Sequence, residues 1–131
     1  MSMAGNKLQS FGASAGQPIA LTITLTTNII APAAAGASAV GYTATATYII
    51  LTRIRIINKT ASSATFSLWI GATGANAAGT EFMGNAMVVP ANDYVEWVGC
   101  KRLEGANGFL VGGSNTATAL TFEADGEVGL V

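Results

Sequence analysis

The run Thr45-Ala-Thr-Tyr-Ile-Ile-Leu-Thr-Arg-Ile-Arg-Ile-Ile-Asn58 decides the fold class of this chain. It is dense in Ile, Tyr and Thr, the β-branched and aromatic residues that favour strands. Its apolar side chains follow the two-residue period of a strand and not the 3.6-residue period of a helix. The run therefore predicts a long strand with two differently composed faces.

The same period recurs along the rest of the chain. Turn-forming residues from Asn58 to Ser63 separate the long run from a second one, Ala64–Gly71, and we expect these two runs to form a hairpin. Further strands are predicted at Ile19–Thr27, Glu81–Val89, Asp93–Leu103, Phe109–Gly112, Thr116–Ala124 and Glu127–Val131. Turn signals such as Asp125-Gly126 separate them. The sequence thus predicts an all-β fold, an antiparallel, jelly-roll-like β-sandwich of about eight strands.

The chain is long enough for one domain around one core, which we place at residues 19–131. Residues 1–18 lack strand periodicity and are interpreted as an extended N-terminal arm, either frayed or ordered on a neighbouring molecule through Phe11. They do not resemble a secretory signal, so we expect cytoplasmic synthesis. Residues 29–51 are uncharged over a length that could span a membrane, but Pro32 and small polar residues argue against a span.

Charge is scarce. The chain has six basic and seven acidic residues among 131, and none lies between Lys7 and Arg53. Soluble domains typically contain about a quarter charged residues, which keep them dissolved and keep neighbours off their strand edges. The deficit predicts a subunit of a larger assembly, including copies of itself. A net charge of −1 without basic clusters argues against nucleic acid as a partner.

The residue inventory argues against catalysis. With no histidine and one cysteine, Cys100, the chain cannot assemble a Ser–His or Cys–His pair or a zinc site by itself. The glycine-rich loop Gly71–Gly79 lacks the Lys-Ser or Lys-Thr of a phosphate-binding loop. Glu123, Asp125 and Glu127 offer oxygen ligands for calcium, although solvated acids around a turn explain them more simply. We expect no enzymatic activity, no cofactor and no metal.

The predicted hairpin has an outward face that combines apolar and arginine side chains. Its members are Ile49, Leu51, Arg53, Arg55 and Trp69. A surface rich in aromatic residues and Arg and poor in Lys and Glu is typical of protein interfaces. The alternative is a central strand buried on both faces, but two arginines resist complete burial. We therefore predict a protein interface formed by this face together with Phe11.

Three segments carry a resemblance to a known class of proteins: Ile54-Arg-Ile-Ile-Asn-Lys-Thr60, Ser67-Leu-Trp-Ile-Gly71 and Leu110-Val-Gly-Gly113. They resemble small virion proteins of tailed bacteriophages, in particular head decoration, or cement, proteins. The resemblance implies a non-enzymatic protein, often a dimer or trimer, that binds the major capsid protein on the capsid exterior.

A second interpretation remains open on the same fold. The chain is then a tail or fibre component, or a carbohydrate-binding adhesin module. Aromatic side chains beside Asn and Asp suit sugar binding, and the candidates are Trp69, Trp97, Asn92 and Asp93.

Overall fold

The structure, a computed structural model, describes residues 7–11, 18–32, 38–43 and 48–129. Within these ranges every regular element is a strand: β1 (Lys7–Phe11), β2 (Ile19–Ala20), β3 (Asn28–Ala31), β4 (Tyr42–Thr43), β5 (Tyr48–Asn58), β6 (Ala64–Gly71), β7 (Glu81–Val89), β8 (Tyr94–Glu104), β9 (Phe109–Ser114) and β10 (Leu120–Gly129). No helix suited to crossing a membrane occurs in these parts of the chain. The predicted all-β fold is confirmed.

The strands form two five-stranded sheets that pack as a sandwich. The first sheet has the order β1-β10-β5-β8, with β2 also paired to β10, and the second has the order β4-β3-β9-β6-β7. The pairings are antiparallel except between β3 and β4. Some of them enclose one another along the chain: β6 pairs with β7, β5 with β8, β3 with β9, and β1 and β2 with β10. The pairs β5–β10 and β6–β9 join these pairings into the two sheets.

The main apolar core lies between the sheets. Its largest fully buried side chains include Phe66 and Phe122, one from each sheet. Burying such a side chain stabilises the fold by about 1.5–3 kcal/mol relative to leaving it exposed. A smaller cluster, formed by Ala31, Phe109 and Val111, is separate from this core and belongs to the second sheet.

A bulge at Thr52 reverses the alternation of β5. Leu51 pairs with Gly126 and Arg53 pairs with Asp125, so Thr52 has no partner on β10. Its hydroxyl instead donates to the carbonyl oxygen of Asp125 at 3.1 Å. One extra residue in a strand moves every later side chain to the opposite face.

The bulge turns four apolar side chains of β5 into the core: Ile49, Leu51, Ile54 and Ile56, all fully buried. Strict alternation had predicted an outward position for Ile49 and Leu51, beside Arg53 and Arg55. That prediction was wrong, because the alternation restarts after Thr52. Of the predicted β5 residues, only Arg53 and Arg55 lie on the outer face.

The predicted hairpin of β5 and β6 was also wrong, because these strands lie in different sheets. Asn58, only 1% exposed, folds the connection between them. Its Nδ2 donates to the carbonyl oxygens of Ser62 at 2.8 Å and Val89 at 3.1 Å, and its Oδ1 accepts the N–H of Thr60 at 2.9 Å. These bonds bend the chain across to the second sheet.

Two further predicted strand boundaries differ from those in the structure. Asp125-Gly126 lies inside β10, because β5 pairs with residues on both sides of it. The predicted strand Ile19–Thr27 is regular only at Ile19–Ala20.

Part of the predicted N-terminal arm belongs to the sandwich. Lys7–Phe11 is the strand β1, paired antiparallel with Ala124 to Val128 of β10. Its backbone thus adds an outer strand to the first sheet. Residues 1–6 and 12–17 of the predicted arm lie outside the described residues.

Candidate functional site

The two sheets differ sharply in charge. Of the thirteen charged residues, ten lie in strands of the first sheet and two, Lys59 and Asp93, lie in turns. The thirteenth charged residue is Glu81 on β7, and it is the sole charged residue in the described strands of the second sheet. Its carboxylate accepts the backbone N–H of Gly79 at 2.7 Å. The charge deficit of the sequence is thus concentrated on one side of the sandwich.

Arg53 is the centre of an ion-pair network on the first sheet. Its Nε donates to Oδ2 of Asp125 at 2.6 Å, its Nη2 to Oε1 of Glu123 at 2.7 Å and its Nη1 to Oε2 of Glu96 at 3.3 Å. Arg55 donates through Nε to the same Glu96 oxygen at 3.2 Å. The hydrogen bond from Arg53 to Glu123 is the largest of several causes that raise the pKa of Arg53. The hydrogen bond from Arg55 is the largest cause that lowers the pKa of Glu96.

These contacts change the interpretation of the arginine pair. Arg53 and Arg55 were predicted to contact a partner, but cross-strand carboxylates of the same chain already bind both guanidinium groups. Glu123 and Asp125, the sequence candidates for calcium, are the acids that bind Arg53. In the described parts of the chain, no three acidic or cysteine side chains form a group that could hold a metal ion.

The other predicted interface residues do not join the arginines. Trp69 is only 5% exposed, so its predicted exposure was wrong. It lies opposite Val111 on β9, a member of the smaller apolar cluster, and this places Trp69 on the covered outer side of the second sheet. Phe11 pairs through its backbone with Ala124, and its side chain lies outside the described part of the structure.

The four sugar-binding candidates are likewise separated. Trp97 lies opposite the buried Ile54 and meets Phe82 edge to face, with 4.9 Å between ring centres. Asn92 and Asp93 lie in the turn between β7 and β8. Because Trp69 is buried in the second sheet, the two tryptophans form no common stacking platform.

The site with the most distinctive geometry is a cleft of about 250 Å³ on the second sheet. Its principal lining residues are Ile23, Leu25, Thr65, Ser67, Asn85 and Asn115. None of its lining residues is charged. The cleft therefore combines an apolar wall with uncharged polar groups.

The first wall is an irregular segment that leaves the edge of β9 and returns to it. The carbonyl oxygens of Thr22 and Thr27 accept the N–H groups of Ser114 and Gly112, at 2.8 and 3.0 Å. The hydroxyls of the two threonines hydrogen-bond each other at 2.8 Å and close the neck of this loop. The intervening residues therefore form a loop that is tied to β9 at both ends and is not a regular strand.

Ile23 and Leu25 lie on this loop and remain 61% and 38% exposed. The backbone of the loop passes directly over Gly113, where a Cβ atom would lie 2.5 Å from the carbonyl oxygen of Thr22. Glycine at position 113 is therefore required for this wall to approach the sheet.

The second wall is a bulge in β7. Phe66 pairs with Met87 and Leu68 pairs with Phe82, so the four residues 83–86 stand opposite Ser67 alone. Met83, Gly84 and Ala86 have positive φ values of 66°, 103° and 52°. For a non-glycine residue this conformation costs about 1–2 kcal/mol. Strained backbone of this kind is concentrated at binding and catalytic sites.

Three hydrogen bonds complete the cleft. The hydroxyl of Ser67 accepts the N–H of Ala86 at 2.8 Å and donates to Oδ1 of Asn85 at 2.7 Å. On the other side, Oδ1 of Asn115 accepts the N–H of Thr65 at 2.8 Å. The amide side chains of Asn85 and Asn115 are thus positioned by the sheet.

The cleft is continuous with a further exposed apolar residue. Val88, which is 55% exposed, stands opposite Thr65 on the neighbouring strand. We call the surface formed by Ile23, Leu25, Thr65, Asn85, Val88 and Asn115 the uncharged face.

Sequence reasoning missed this site for an identifiable reason. Ile23 and Leu25 alternate with threonines and were therefore assigned to a half-buried strand. The β7 bulge had a signal, since Gly84-Asn85 interrupts an otherwise regular strand pattern.

The free strand edges are less suited to binding than this face. Of the described strands, β7 and β8 each end a sheet, and these two edge strands contact each other through Phe82 and Trp97. The bulge at residues 83–86 interrupts β7, and the register of β8 shifts between Val98 and Lys101. Bulges and charged residues are the usual means by which proteins prevent edge pairing.

Comparison with known proteins yields no relative. No protein-family model, no curated protein and no solved structure matches this chain. Function must therefore be argued from the site.

Proposed function

We propose that this protein is a non-enzymatic structural subunit that attaches to a larger protein assembly through the uncharged face. The observation that carries this proposal is the exposure of Val88 on, and of Ile23 and Leu25 beside, a sheet whose described strands contain a single charged residue. The centres of protein interfaces are depleted in charged residues. An exposed apolar patch rimmed by polar groups is a common mark of an interaction surface.

The proposed assembly is a bacteriophage capsid, and the proposed partner is the major capsid protein on its outer surface. Two observations support this choice. Nested pairings among the strands support the expectation of a jelly roll, an architecture found in viral capsid and lectin domains. The segments Ile54–Thr60, Ser67–Gly71 and Leu110–Gly113 resemble cement proteins. A shared fold by itself fixes no function, so the choice of a capsid depends on the resemblance as well. A protein that binds only the assembled shell would stabilise that shell by mass action.

We assign self-association to a different surface. Tyr94 and Val98 on β8 are 54% and 72% exposed, and they belong to the first sheet. Capsid attachment and contacts between copies would then use opposite sheets. This arrangement lets a dimer or trimer bind several capsid subunits at once.

A carbohydrate-binding module is less well supported. Sugar sites generally use exposed aromatic rings beside polar groups, whereas Trp69 is buried and Trp97 packs on Phe82. A tail or fibre component needs the same kind of interface as a decoration protein, so only its location on the particle differs.

Immunogold electron microscopy of particles from the source culture, with antibodies against the purified chain, tests the proposal. Gold distributed over the capsid exterior is the expected result. Gold confined to tails or fibres would support the second interpretation. Intact particles without label, in a preparation whose protein is detected only in the soluble fraction, would overturn both.

A further inference from the structure

We propose that the cleft of the uncharged face is an anchor site, which takes one uncharged apolar side chain from an extended segment of the partner protein. This inference rests on the proposed function and names what the partner inserts.

The size of the cleft limits the occupant. Pockets for whole drug-sized ligands occupy about 300–1,000 Å³. At about 250 Å³, this cleft is smaller, and it is partly open to solvent. A single side chain that projects from a neighbouring protein surface matches both properties.

The chemistry of the walls selects an apolar side chain. Ile23 and Leu25 provide exposed aliphatic surface. No charged group lines the cleft, so a charged occupant would lose its water without gaining an ion partner. The charge-free cleft is therefore complementary to a neutral, aliphatic occupant.

The rim of the cleft offers hydrogen bonds to a peptide backbone. The Oδ1 atoms of Asn85 and Asn115 accept hydrogen bonds from the protein itself. Their Nδ2 groups have no acceptor among the described residues, and both side chains are exposed. These amide donors can bind carbonyl oxygens on either side of the inserted residue, which explains why an extended segment is the expected ligand.

The cleft is also preformed. The hydrogen bond between the hydroxyls of Thr22 and Thr27 fixes one wall, and those of Ser67 with Asn85 and Ala86 fix the other. A rigid site loses little conformational entropy when it binds. Rigid, central pockets of this kind are where interfaces concentrate their binding energy.

The test is a nuclear magnetic resonance titration of the full chain with N-acetyl-leucine methylamide. The backbone amides of Ile23, Leu25, Ala86 and Asn115 should shift together and saturate in the millimolar range. N-acetyl-alanine methylamide should bind on the order of tenfold more weakly, because it buries less apolar surface. N-acetyl-lysine methylamide should not bind there.

A matched pair of variants tests the location. Ile23→Ala should weaken binding of the leucine probe several-fold, whereas Val40→Ala, which shortens an exposed valine outside the cleft, should leave it unchanged. Equal losses in both variants, or shifts spread over the whole surface, would overturn the proposal. So would a leucine probe that binds no better than its alanine or lysine analogue.

Two outcomes separate this inference from the proposed function. If the protein labels capsids but the leucine probe does not bind the cleft, the anchor site is wrong and the decoration function remains. If monosaccharides such as glucose or galactose shift the cleft amides and the leucine probe does not, the occupant is a sugar and the anchor proposal is overturned.

Discussion

The hydroxyl of Ser67 accepts a hydrogen bond from the backbone N–H of Ala86 at 2.8 Å. Ser67 belongs to the regular strand β6, whereas Ala86 ends the strained bulge of β7. The same hydroxyl donates to Asn85, so one short side chain holds two successive residues of the bulge. The shape of the cleft therefore depends on a polar contact between neighbouring strands.

Ser67→Ala should loosen this bulge. Because the mutation removes two hydrogen bonds at a residue that is 5% exposed, we expect the free energy of unfolding to fall by about 1–2 kcal/mol. Urea denaturation measures the loss, and faster hydrogen exchange at the Ala86 amide locates it. Ser63→Ala, at an exposed turn position, is the control and should change stability by less than about 0.5 kcal/mol. Unchanged exchange at Ala86 would contradict the assigned role of Ser67.

Asn58→Ala should be more damaging. Asn58 uses both ends of its amide in the connection between the sheets, and removing it leaves the buried carbonyl of Val89 without this donor. We expect a loss of about 2–3 kcal/mol, since unsatisfied buried groups keep their full desolvation cost. The neighbouring variant Lys59→Ala, at an exposed position, provides the comparison. Equal denaturation midpoints for the two variants would show that these bonds contribute nothing.

The alternation of apolar and polar residues and the turn residues between them were sufficient to predict most strands. The predicted bounds Glu81–Val89 and Ala64–Gly71 agree with β7 and β6, because alternation and turn residues are properties of adjacent positions. The pairing of strands was not predictable in this way. Whether Asn58 continues a hairpin or crosses to the other sheet depends on Val89, a residue distant in sequence.

The site was harder to predict than the fold for a related reason. Thr52 lies within a regular-looking pattern, and only its missing partner on β10 reveals that Ile49 and Leu51 face the core. Conversely, Ile23 and Leu25 look like core residues, but they lie on an irregular loop, tied to β9 by hydrogen bonds, that leaves both side chains exposed. Exposure in both cases is decided by contacts with other strands.

Arg53→Ala should destabilise the fold more than Arg55→Ala. Arg53 binds three carboxylates and its side chain is 25% exposed, whereas Arg55 binds one and is 39% exposed. Glu123 and Asp125 both lie on β10, and without Arg53 these two carboxylates lose the cation that they share. We expect a loss of about 1–2 kcal/mol for Arg53→Ala and less than about 1 kcal/mol for Arg55→Ala, measured by urea denaturation. The reverse order would refute the central role of Arg53.

Protonation of Glu96 should lower the free energy of unfolding as the pH falls. Arg55, and secondarily Arg53, lower its pKa in the folded state below the ordinary value of 4.5. A carboxyl group with a depressed folded pKa contributes stability that is fully present above the unfolded pKa and is lost as pH falls through the folded pKa. Denaturation midpoints measured from neutral pH to below 4.5 should therefore decline less steeply in Glu96→Gln than in the unmodified protein. Parallel declines would exclude this contribution.

A matched pair of valines can separate capsid attachment from self-association. Val88 lies on β7 of the uncharged face and Val98 on β8 of the first sheet; both are exposed, at 55% and 72%. An aspartate at either position is solvated in the free protein, so both variants should fold. Within an interface the same carboxylate would be buried without a partner, which can cost about 2 kcal/mol or more, or roughly 30-fold in affinity.

Val88→Asp should therefore weaken co-sedimentation with capsids that lack the protein and leave its oligomeric state unchanged in analytical ultracentrifugation. Val98→Asp should do the opposite. If both variants bind capsids as well as the unmodified chain, attachment does not use the uncharged face.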